Sequence, residues 1–198
     1  MGLPLASRSE HEQARRFAPV DPANCLVYVV RVRGLWSGRY SNRAVVMLTP
    51  EEEIPGLHPN FLLNPKHGDQ VATIEPSYRG GGGRGGVYAL WELPRNDYVL
   101  QALFEYDFRR LQFMTLIGGP AGHHKAAEGI AHVHISCRPG NVMFFAVRER
   151  GFFSAVTLDE MSREDAMPEV LRGLRSVGVT VPTPPFYVSC PSGVAVSQ

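Results

Sequence analysis

The feature that most constrains this chain is a succession of short runs of β-branched and aromatic residues, each closed by glycine, proline, asparagine or a charged turn. Cys25-Leu26-Val27-Tyr28-Val29-Val30-Arg31-Val32 opens the series and reads as a largely buried strand. Arg43 to Thr49, Gln70 to Ile74, Val87 to Glu92, Tyr98 to Phe104, Leu111 to Ile117, Ile130 to Cys137, Asn141 to Arg148 and Phe152 to Leu158 continue it. Pro50 is expected to stop the second run, because proline cannot donate to a ladder. The stretch Leu93-Pro94-Arg95-Asn96-Asp97 has the turn chemistry of a hairpin between its flanking runs. The last three runs, joined by Arg138-Pro139-Gly140 and Glu149-Arg150-Gly151, predict a meander.

Short strands separated by turn signals predict a mainly β fold, an antiparallel β-sandwich or partly closed barrel, with one short C-terminal helix. Ser162 followed by Asp165 resembles a capping box, and Val170, Leu171 and Leu174 recur at helical spacing. Pro168 is expected in the first turn of a helix over Glu169 to Leu174. The 198 residues suit one domain over 23–177, flanked by a flexible arm at 1–22 and an extended tail at 178–198. Within the arm, a helical turn is expected around Glu10 to Arg16. The 20 glycines and 16 prolines concentrate in an irregular insertion at 50–86, in the turns and in the arms.

A formal net charge of +1 creates no global field toward nucleic acid or an anionic membrane. No apolar run approaches the roughly 18 residues of a membrane span, so integral membrane insertion is not expected. The N-terminus lacks a charged region followed by an apolar core, which points to the cytoplasm, or to an exported or envelope-associated location if a leader precedes this sequence. Cys25, Cys137 and Cys190 are too few for a disulfide framework and leave room for one bridge. Their other reading is as small buried or tail residues.

Three stretches carry a resemblance. Phe17 to Arg31 is a Pro-rich lead-in followed by a tyrosine-containing strand that ends in Arg. Val87 to Leu100 is a strand, a Leu-Pro turn and a returning strand, and Val133 to Phe145 is a hairpin whose Gly turn precedes aromatic residues. In these stretches the chain resembles a β-sandwich domain of unknown function found in small bacterial lipoproteins and exported proteins. The resemblance implies a small sandwich and no known catalysis. This chain departs from it in lacking a lipidation cysteine at its start and in the length of its 50–86 insertion.

His132 and His134 stand two apart on an expected strand, so both imidazoles face one side, where a sheet can offer them to one metal. With His123 or His124 they define a candidate zinc site, and zinc enters only through that alternative. His134-Ile135-Ser136 is half of the paired signature of two-histidine phosphoesterases, and a single copy supplies only one of the two proton transfers. Cys137 lies on the opposite strand face from His134, which argues against a direct dyad. Arg79 and Arg84, in the tract Arg79 to Gly86, suggest either a mobile inter-strand loop or RNA and single-strand binding, and two arginines release few counterions.

In Met143-Phe144-Phe145 and Gly151-Phe152-Phe153 adjacent aromatics must face opposite sides of a strand. One of each pair therefore leaves the core unless both faces are covered, which makes Phe145 and Phe153 interaction candidates. Phe186 and Tyr187 in the tail join them. The expectation is a non-enzymatic structural or protein-interaction module that meets a protein partner or a second copy through its surface and arms. A metal-dependent hydrolase built on the histidines is the alternative.

Overall fold

The computed structural model of the chain describes residues 5–32, 43–51, 70–76, 86–104, 130–150, 155–176 and 179–180. Its elements are α1 (Arg8–Ala14), β1 (Cys25–Arg31), β2 (Ala44–Pro50), β3 (Gln70–Ile74), β4 (Val87–Leu93), β5 (Asp97–Phe104), β6 (Ala131–Ser136), β7 (Val142–Arg150), β8 (Ala155–Glu160), α2 (Arg163–Arg172), β9 (Leu174–Arg175) and β10 (Val179–Thr180). The fold is mainly β, as the runs predict. The described strands form two five-stranded sheets, β8-β7-β1-β4-β9 and β10-β3-β2-β5-β6, and do not close into a barrel.

Two of the three local pairings expected from turn chemistry are corrected, and the third, β7 with β8, is present. β4 pairs with β1 and β9, whereas β5 pairs with β2 and β6, so the Leu93–Asp97 turn carries the chain from one sheet to the other. Pro94 and the Tyr98 hydroxyl, which donates to the Pro94 carbonyl at 3.1 Å, build a corner instead of a hairpin. The expected meander divides the same way: β6 lies in the second sheet, and β7 and β8 pair in the first. The first sheet is mixed, not antiparallel throughout, because β1 runs parallel to β7 and β4 parallel to β9. Pro50 ends β2 from inside the ladder, opposite Tyr98.

One apolar cluster holds the inward residues of both sheets. It joins Val27 and Val29 of β1, Ala89 and Trp91 of β4, Val46 of β2, Leu100 and Phe104 of β5, and Phe145 and Val147 of β7. A second cluster lies on the outer face of the first sheet, where Leu26, Tyr28, Tyr88, Leu90 and Phe144 meet Ala14, Phe17, Ala166 and Val170. β1 is thus buried on both sides, which is why its sequence is a continuous apolar run and not an alternation. The same double cover resolves the paired aromatics. Phe145 is buried between the sheets and Phe144 beneath Phe17, so Phe145 is not a surface residue.

Part of the segment expected as an arm is tied to this outer face. Ser7 caps α1 through a complete capping box with Glu10, and Ala14 accepts a hydrogen bond from the Tyr28 hydroxyl at 2.6 Å. α2 starts six residues before the expected Glu169, at Arg163, because Ser162 accepts from the Asp165 amide. Pro168 therefore lies inside the helix, while Leu174 leaves it for β9.

Cys25 and Cys137 form a disulfide between β1 and the residue after β6, with Cα atoms 5.7 Å apart and both residues fully buried. It clasps the two sheets at one end. At the other end Arg31 is buried, with its guanidinium 4.6 Å from the centre of the Phe104 ring. The described chain ends that flank 33–42, 77–85, 105–129 and 151–154 all lie at this Arg31 end.

Candidate functional site

β6 alternates between faces. Ala131, Val133 and Ile135 pack toward the inter-sheet core, and His132, His134 and Ser136 are exposed. The expected common face of the two histidines is therefore present, with ring centroids 6.3 Å apart in an edge arrangement. The His134 Nδ1 lies 3.4 Å from the Glu51 carboxylate at the end of β2. Ser136 donates its hydroxyl proton to Asp97 of β5 at 2.5 Å, and Arg138 lies 3.8 Å from the same carboxylate.

The register also fixes where the β6 backbone points. The Cys137 amide donates to the Asn96 carbonyl at 2.9 Å, which makes Cys137 and Asn96 a hydrogen-bonded antiparallel pair. Counting back in steps of two, Ile135, Val133 and Ala131 direct their backbone groups at β5. His132, His134 and Ser136 direct theirs away from it. β6 has one strand neighbour among the described residues, so among them these groups form an open sheet edge. β6 itself contains no proline, no lysine and no break in register, three devices that commonly guard an edge. β8, the edge of the first sheet on the same flank, differs in ending on Asp159 and Glu160.

Two further places concentrate polar groups. Arg31 donates to the Val32 and Val147 carbonyls and lies 3.7 Å from Glu149, while its Nε has no partner among the described residues. Burial lowers its pKa and the Glu149 carboxylate opposes that shift. A cavity of about 210 Å³ lies beside α1, and Leu26, Leu90, Glu92 and Arg175 are among the residues that line it. Glu92 serves the lead-in by accepting from the Asp21 amide and the Asn24 side chain, and Arg175 donates to the Leu90 carbonyl of β4. His11 joins the same region by accepting the Arg175 amide on Nδ1 at 3.1 Å.

No protein family, curated protein or solved structure was found to match the chain. The arrangement of its residues therefore carries the reading.

Of the residues singled out in the sequence, the structure brings together His132 and His134. His123, His124, Arg79, Arg84, Phe153, Phe186 and Tyr187 lie outside the described residues. Among the described residues no cluster of three or more His, Cys, Asp or Glu is placed to hold a metal ion, and no helix is long and apolar enough to cross a membrane. Sequence reasoning missed Glu51, Asp97 and Ser136 as neighbours of the histidines. The only available signal was the alternation of β6, which gives its face but not its strand neighbours.

Proposed function

We propose that this chain is a β-sandwich interaction module of an oxidising compartment that binds a protein partner by accepting an extended strand along β6. It works by surface recognition, not catalysis. The observation that carries the reading is the open β6 edge, where His132, His134 and Ser136 offer outward N–H and C=O groups in register. Strand addition draws its affinity from such main-chain groups and its selectivity from alternate side chains. Here those side chains are two imidazoles and a hydroxyl. The inter-sheet cluster supports the sandwich, and the fully buried Cys25–Cys137 bridge supports the compartment.

The test uses extended peptides selected from a displayed random library on the purified protein. Proline at 134 removes an outward N–H and leaves the ladder to β5 intact, whereas alanine at 134 removes only the imidazole. Selected peptides are expected to lose at least tenfold in affinity for His134→Pro and to keep most of it for His134→Ala. Peptides that bind His134→Pro as well as the parent protein overturn the reading.

A further inference from the structure

We infer that the strand accepted by the β6 edge is β6 of a second copy of this chain, paired antiparallel about His134. This rests on the reading of β6 as a strand-accepting edge and names the occupant.

The register makes the edge complementary to itself. When His134 of one copy faces His134 of the other, His132 faces Ser136 and Ser136 faces His132. All are outward residues, so each facing pair is of the hydrogen-bonded kind and exchanges both an N–H and a C=O. Every outward backbone group from 132 to 136 is then used. No shift of register by two residues achieves this, because each leaves an end pair unmatched. An interface in which the same patch serves both subunits closes on a two-fold axis and ends there.

The side chains agree with this register. The Ser136 hydroxyl already donates its proton to Asp97, which leaves its oxygen lone pairs for an incoming donor. The residue brought opposite it is His132, whose imidazole N–H is that donor. The same chain of donor, hydroxyl and carboxylate forms at both ends of the paired strands. At the centre, a Glu51 carboxylate lies beside each His134, 3.4 Å from its Nδ1. The core-facing residues Ala131, Val133 and Ile135 continue the inner face of one sheet into the other.

Sedimentation equilibrium of the purified full chain between micromolar and millimolar concentration tests the inference, together with site-specific cross-linking in a Cys190→Ser background. The parent protein is expected to dimerise, and His134→Pro to weaken the dimer at least tenfold. In the two-fold arrangement the Cα atoms of the paired 134 positions lie about 5.5 Å apart. The two 132 positions, offset by four residues, lie about 14 Å apart. A short bis-maleimide is therefore expected to join His134→Cys copies and not His132→Cys copies, and to join the double variant His132→Cys/Ser136→Cys. A chain that stays monomeric throughout while binding its selected peptides overturns the second copy as occupant and leaves the edge reading standing. A dimer unchanged by His134→Pro, or cross-linked equally at 132 and 134, also overturns the inference. Loss of both peptide binding and dimerisation from the parent protein removes the edge reading as well.

Discussion

Removing the Cys25–Cys137 bridge is expected to cost this protein a large share of its stability. The bridge closes a loop with a sequence separation of 112 residues. Chain-entropy arithmetic for a loop of that length gives about 4.8 kcal/mol. That is a large part of the roughly 5–15 kcal/mol that separates most folded domains from their unfolded chains. Both cysteines are fully buried in the inter-sheet cluster, so the reduced thiols have apolar neighbours and the Leu93 carbonyl as their environment. With a urea m value of about 2 kcal/mol/M, loss of the bridge lowers the unfolding midpoint by about 2 M. The assay is equilibrium urea unfolding with and without a phosphine reductant, followed by the fluorescence of buried Trp91. Cys25→Ala/Cys137→Ala, measured without reductant, should reproduce the reduced midpoint. A shift below about 0.5 M, or alkylation of both thiols in the untreated folded protein, refutes the reasoning.

Three further perturbations test the outer layer. A Cβ at Gly173 would lie 2.6 Å from the Glu169 carbonyl oxygen and 2.9 Å from the Tyr88 ring, so Gly173→Ala should lose about 1–3 kcal/mol in thermal or urea unfolding. Phe17 holds a positive φ of 52° and packs its ring 5.5 Å from Tyr28, so Phe17→Ala should cost about 3 kcal/mol and loosen α1, read as faster amide exchange there. Burial, with Arg15 and Arg175 adding to it, lowers the His11 pKa below 6.5. The unfolded chain then binds the proton more readily, so stability falls as pH drops through about 6.5 and levels off below the folded-state value. Protonated Nδ1 also cannot accept the Arg175 amide. His11→Asn, which keeps an acceptor, should flatten the pH dependence of unfolding between pH 7.5 and 5. An unchanged slope counts against a stabilising role for the His11–Arg175 hydrogen bond.

Much of the strand content was legible because local composition and burial agree. The unbroken apolar run from Cys25 to Val30 is what a strand covered on both faces requires, and alternation along Ala131 to Ser136 put both histidines on one side. Pairing was less legible. The Leu93–Asp97 turn suits a hairpin and a corner between sheets equally well, and the difference lies in the partners β1 and β2, far away in sequence. The Cys25–Cys137 contact is likewise a product of topology, and no spacing rule reaches across it. For α2, the Ser162 cap fixed the start more strongly than Pro168 resisted it. The candidate site follows the same division: the sequence showed which way the imidazoles face, and the sheet order showed that the strand beneath them is an edge among the described strands.

The account stands most directly on the amides of β6, read one by one by hydrogen exchange in dilute protein with and without a saturating selected peptide. Alone, Ala131, Val133 and Ile135 should be protected by β5 while His132, His134 and Ser136 exchange rapidly, and the peptide should protect all of them. Outward amides already protected in the dilute protein, or left unprotected by the bound peptide, would contradict β6 as an open edge that accepts a strand.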